Sequence, residues 1–115
     1  MFNFEKLEVY QESIVLVDQI YQIVNVWPKN EQFSLTDQFK RASISIVLNI
    51  AEGFSRTKKD FYHFIVMARG SCYECIAILT IANNRKYIAD DVYEKIYQHC
   101  EKIARMLSAL KKSIQ

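Results

Sequence analysis

The sequence contains only two glycines, Gly53 and Gly70, and one proline, Pro28, among 115 residues. An all-β sandwich or barrel needs a tight turn every ten residues or so, and the residues that make such turns are missing. No Gly-x-Gly pair occurs, which excludes a glycine-rich phosphate loop. Neither sign of charge is in large excess. The 15 basic and 13 acidic side chains leave +2, too little by itself to imply a polyanionic partner. Long apolar runs are lacking too. Runs such as Ile14–Val17 and Ile76–Leu79 have four residues and none exceeds five, far short of the ~20 of a membrane span. No membrane partner is therefore expected. The first residues, Met-Phe-Asn-Phe-Glu-Lys, show no basic stretch followed by an apolar one, so no signal peptide is expected. The three cysteines are an odd count, and the simplest compartment is a reducing cytoplasm with free thiols.

What is present is a globular composition, 50% hydrophobic and 24% charged. A 13.6 kDa chain is one domain, expected to span residues 1–115, and can bury a core without a disulfide or metal. Four helical segments are predicted. In the first, Leu7, Tyr10, Ile14, Val17, Tyr21 and Val24 are spaced as a heptad seam that ends before Pro28. The second starts near the capping residues Ser34–Thr36 and runs to about Glu52, with Gly53 as its stop. The third starts at Thr57, with Asp60 three residues on, and frays around Asn83-Asn84. Its seam is Phe61, Ile65, Ala68, Cys72, Cys75, Leu79 and Ala82. The fourth starts at Asp90 or Asp91, with Glu94 as capping partner and a seam of Val92, Ile96, Cys100, Ile103, Leu107, Leu110 and Ile114. Links of roughly ten, five and six residues suit antiparallel neighbours. The expected fold is all-α, an antiparallel up-and-down four-helix bundle.

The second segment carries a polar stripe, Gln38, Arg41, Ser45 and Asn49, yet Phe39, Ala42, Ile44, Ile46, Val47, Leu48, Ile50 and Ala51 cover most of its other sides. The third adds Phe64, Ile76, Ile78 and Ile81 beyond its seam. A helix that is apolar on more than one face is central or covered by a partner chain, so subunit packing is expected.

Catalytic and metal chemistry find little support. Cys72 and Cys75 share a helix face and His99-Cys100 could complete a zinc site. Both cysteines fall on the apolar seam, however, where a free thiol packs as a small hydrophobe. His99 and Cys100, being adjacent, point about 100° apart on a helix. A Cys–His pair drawing on His63 or His99 would have no loop to carry an oxyanion hole. His63, beside Tyr62, reads as a surface or interface residue. Glu52 and Glu74 could pair as acid and base, but a carboxylate facing Arg41 across a polar stripe reads as an ion pair, and one between Arg41 and Glu74 is expected. No catalytic residue, metal or cofactor is assigned.

Charge is unevenly distributed. Residues 37–86 hold eight basic and four acidic side chains, concentrated at Lys40, Arg41, Arg56, Lys58 and Lys59. The cluster reads either as a solvated helix end or as a phosphate-contacting patch with Tyr62 and Phe54 near enough to stack on bases.

The middle of the chain carries an ordered motif. Leu35-Thr36-Asp37-Gln38 is followed by Arg41-Ala42-Ser43-Ile44-Ser45-Ile46 and by Asn49-Ile50-Ala51-Glu52-Gly53. Then come Arg56, Phe61, Ala68-Arg69-Gly70-Ser71 and Glu74. With Phe4, Leu7, Val9-Tyr10-Gln11 and the Pro28 link, this resembles the 23S rRNA intervening-sequence proteins over nearly the whole chain. Val47 departs from the proline common in that family and should leave the second helix straighter. Cys72-Tyr73 departs from the usual aliphatic residue.

The resemblance implies a homo-oligomeric, typically pentameric, helical bundle without known catalysis, encoded within insertions of bacterial 23S rRNA genes and elsewhere. The chain is also similar to the accessory variability protein of diversity-generating retroelements, a basic pentameric barrel. The partners thus implied are RNA or DNA and, in that branch, a reverse transcriptase, though +2 is a low charge for it. Arg41, Asn49, Glu52, Gly53, Gly70, Ser71 and Glu74 read as the structural part of the motif, and small residues at Gly70-Ser71 admit a close helix backbone. Arg56, Lys58 and Lys59, with Lys40 as a separate group at the far end of the helix pair, are the expected nucleic-acid contacts. A structural platform for protein partners is the other reading.

Overall fold

In the computed structural model, which describes residues 1–114, four α-helices follow a short 3-10 turn, Asn3–Lys6. They are α1 (Glu8–Val24), α2 (Leu35–Phe54), α3 (Lys58–Asn84) and α4 (Asp90–Ser113), with a second 3-10 turn, Lys29–Glu31, in the α1–α2 link. No strand occurs among the described residues. Each helix packs on its sequence neighbour, and α1 closes the bundle against α4. The long axis is 42 Å, close to the ~40 Å that the 27 residues of α3 span at 1.5 Å each.

The two ends of α3 follow from local chemistry. Thr57 Oγ1 accepts from the Asp60 backbone N–H at 3.3 Å, as its spacing predicts. At the other end the helix continues to Asn84 and then closes through Lys86, the one non-glycine residue with positive φ among those described. The Tyr87 N–H returns to the Ala82 carbonyl at 2.9 Å, satisfying an end carbonyl that would otherwise be orphaned. Two other expected caps are different. Ser34 precedes α2, but its hydroxyl donates to Glu31 Oε1 rather than accepting from the helix. Ala89, not an aspartate, precedes α4, and Asp90 and Asp91 sit in its first turn, where they oppose the positive end of the helix dipole.

The α3 and α4 seams are confirmed: every α3 seam residue is buried, as are Ile96, Cys100, Ile103 and Leu107 of α4. The α1 seam is not the expected one. Its buried stripe is Val9, Ser13, Leu16, Ile20 and Val24, and Ile14 and Tyr21 lie on the surface. Ser13 hides this stripe from a purely apolar search. Its hydroxyl donates to the Val9 carbonyl at 2.7 Å, so it is buried without needing a partner elsewhere.

α2 and α3 approach closely at Gly53. Gly53 lies inside α2 and is buried there, so it does not stop the helix. A Cβ at this position would lie 2.5 Å from Phe64 Cβ and 3.0 Å from Phe61 Cδ1. Phe54 is half-buried and meets Phe61 edge to face at 5.4 Å on the same hairpin. Farther along, Ser71 Oγ donates to Ser45 Oγ at 2.9 Å and sets the register of the two helices. The link between them is three residues, 55–57, shorter than expected.

A polar clasp joins α1 to α4. His99 Nδ1 lies 2.8 Å from Gln19 Oε1, and Nε2 lies 2.8 Å from Glu12 Oε1, which also meets Lys102 Nζ at 3.5 Å. The His99 hydrogen bond, helped by the Lys102 charge, holds the Glu12 carboxyl below its ordinary 4.5. α3 also shows that short runs understate apolar character. By length and composition it could cross a membrane, because Gly70, Ser71 and Thr80 interrupt its runs without making it polar. Only 33% of its most apolar stretch is buried within the chain.

Two outcomes are expected. Gly53→Ala should destabilise the fold by about 1–3 kcal/mol in urea denaturation, despite the ~1 kcal/mol that Ala gains over Gly in an open helix. An unchanged midpoint would refute the close approach. Because Glu12 titrates below its unfolded value, its contribution is complete above pH 4.5 and disappears as pH falls through the lowered value. The urea midpoint of Glu12→Gln should therefore trail the wild type by more at pH 7 than at a pH below 4.5. A gap of equal size at both pH values would show that the carboxylate charge plays no part.

Candidate nucleic-acid interface

Antiparallel packing brings the start of α3 and the end of α4 to one end of the bundle. Lys58 and Lys59 occupy the first turn of α3 and are exposed. Cations here oppose the helix dipole, at a typical cost of 0.3–1 kcal/mol each, and Asp60 offsets this only in part. The Asp60 N–H of that turn is capped by Thr57, and the N–H groups of Lys58 and Lys59 before it add partial positive charge that suits an anion from outside the chain. From α4 come Lys111 and Lys112. Lys111 Nζ stands 5.8 Å from the Tyr62 ring centroid, tying the last turn of α4 to the first turns of α3.

The other expected contacts are placed less favourably. Arg56 is paired with Glu52 one turn back on α2, and its guanidinium lies 5.6 Å from the Phe64 ring, so part of its charge is already engaged. Lys40 lies fourteen residues before the end of α2 at Phe54, or about 21 Å along its axis. Its ammonium sits 4.7 Å over the Tyr21 ring, well away from the lysines of α3. Sequence reasoning missed Lys111 and Lys112. Their signal was their position in the last turn of a helix antiparallel to α3, and the nearly neutral sum of the C-terminal third concealed it.

The motif residues sort into contacts within the α2–α3 pair. Asn49 Nδ2 donates to the Ser45 carbonyl at 2.8 Å and to its hydroxyl at 3.0 Å, and Ser71 reaches the same hydroxyl. The expected Arg41–Glu74 ion pair is not formed. Both residues lie one turn from the Ser45–Ser71 contact and hence at the same height, but both are exposed. The carboxylate nearest Arg41 is that of Asp37, at 3.9 Å on its own helix, and this exposed pair contributes under about 1 kcal/mol. Gly70 differs from Gly53: a Cβ there would meet nothing within 4 Å. Its smallness therefore serves no contact inside the chain.

The cysteines are core atoms. Cys72, Cys75 and Cys100 are free and buried, and Cys72 Sγ donates to the Cys100 carbonyl at 3.2 Å. Burial pushes the Cys75 thiol well above its ordinary range, which suits packing rather than nucleophilic attack. His63 is exposed beside Tyr62, and His99 belongs to the α1–α4 clasp.

Comparison with known proteins agrees with this architecture. A crystal structure of a protein of unknown function from the S23 ribosomal protein family of Bacteroides thetaiotaomicron superposes with a TM-score of 0.83. The alignment covers 90% of this chain and 95% of that one at 23% identity, which is evidence for the fold. No curated protein matches the chain. Residues 5–109 match the family described as 23S rRNA-intervening sequence protein. The protein belongs to that family.

Proposed function

We propose that the protein is a non-enzymatic, oligomeric accessory factor that associates with nucleic acid in the cytoplasm. The observation that carries this reading is the meeting of Lys58 and Lys59 with Lys111 and Lys112 at one end of the bundle. Phosphates need only a dense cationic surface on one side, and these four residues supply it although the whole chain is close to neutral. The family name points toward the same class of partner. The three free thiols suit a reducing compartment.

Oligomerisation multiplies this surface. Met67, Gly70, Glu74, Ala77 and Ile81 form one exposed stripe of α3, spaced by three and four residues, and Leu48 of α2 is also exposed. The open space over Gly70 admits the backbone of a helix from another copy. A head-to-tail contact closes into a ring, and five copies is the number the family resemblance implies. Each ring would then repeat the lysine cluster, so weak contacts in each subunit add through multivalency. The same apolar stripe supports a second reading, a structural platform whose partner is another protein.

Retention on immobilised RNA or DNA as a function of salt separates the two. The wild type should be retained at low salt and released steeply as salt rises. Lys58→Glu with Lys59→Glu should reduce retention and flatten the slope by at least about 1.4 per bound chain, without changing helicity. A wild type that is not retained even at low salt would exclude the nucleic-acid role and leave the platform reading.

A further inference from the structure

A groove of about 330 Å³ runs between α3 and α4, lined by Tyr73, Ala104, Arg105, Ser108, Ala109 and Lys112. Three of its lining residues, Ala104, Ser108 and Ala109, are small, which leaves room for a flat group close to the α4 backbone. Arg105 and Lys112 border it two turns of α4 apart, roughly 10.5 Å along the axis. No acidic side chain lines it. Glu101, one turn before Arg105, and Glu74, next to Tyr73, are exposed and lie outside the lining.

Its aromatic wall is held in place. Arg69 Nη2 donates to the Tyr73 hydroxyl at 2.7 Å, and the guanidinium carbon lies 5.1 Å from the Tyr73 ring centroid. One side of the ring is thus braced by a cation, while the residue remains 49% exposed. An aromatic group immobilised before binding loses little entropy on binding. The Lys112 end of the groove lies toward the bundle end that carries Lys58, Lys59 and Lys111.

We infer that this groove binds single-stranded nucleic acid, with one base stacked on Tyr73 and neighbouring phosphates on Arg105 and Lys112. The inference rests on the nucleic-acid reading above and goes beyond it by specifying the strandedness and the site. Small lining residues beside an aromatic wall match an unpaired base, and a cationic rim without carboxylates matches its phosphates. In a duplex the base faces are already stacked and cannot enter. An acidic peptide would satisfy the rim but leave the wall unused.

The test is fluorescence anisotropy with a labelled oligo(dT) or oligo(U) of about twelve nucleotides and a duplex of equal length, with helicity and mass checked for each variant. The wild type should prefer the single strand. Tyr73→Ala should weaken single-strand binding about tenfold at fixed salt with the salt slope unchanged, and Tyr73→Phe should retain most of the affinity. Arg105→Ala with Lys112→Ala should lower the slope by about 1.4. Equal binding of both probes, with Tyr73→Ala leaving affinity unchanged, overturns the groove and leaves the lysine cluster, Lys112 included, as the contact. No binding by the wild type overturns both readings. Loss of a larger assembly in Arg105→Ala with Lys112→Ala, without wild-type binding, makes the groove an interface between copies and overturns the inference.

Discussion

The close approach of α2 and α3 at Gly53 governs the rest of the bundle. A helix packed backbone to side chain against Phe61 and Phe64 across a three-residue link has one available register. That register sets Ser45 against Ser71 and turns the seam from Phe61 to Ala82 inward, against the core that α4 completes. It also determines what remains outside. With one face of α3 committed to the core, Met67, Gly70, Ala77 and Ile81 point away from it, and the helix start at Lys58 is held at the same bundle end as Lys112.

Two consequences follow for function. The chain has a nearly neutral sum but a polarised surface, because antiparallel topology gathers cations that lie about fifty residues apart in sequence. It also leaves most of the most apolar stretch of α3 outside the core, which supports the proposal that copies of the chain pack together. A charged end and an uncovered flank on one rigid body are the requirements for a repeated binding surface.

Much of the fold was legible in the sequence because two of its signals are local. The heptad seams of α3 and α4 are strictly apolar, and the Thr57 cap lies three residues from its donor. The α1 seam was misread because Ser13 conceals its own polarity through a bond to Val9. Gly53 reads as a helix stop because sequence does not distinguish a glycine needed for its φ from one needed for its size. The Arg41–Glu74 pair failed for a related reason: the two heights agree, but side-chain direction favours Asp37. Of the candidate interface, Lys58 and Lys59 were legible as a cluster, whereas Lys111, Lys112 and the Tyr73 groove emerge only when α4 is laid beside α3.

The central claim is that the outer stripe of α3, with Leu48 of α2, is covered by other copies of the same chain. Light scattering of the wild-type protein at micromolar concentration tests it most directly. The account predicts a closed assembly of five 13.6 kDa chains whose mass does not change on moderate dilution. A stable 13.6 kDa monomer would contradict it.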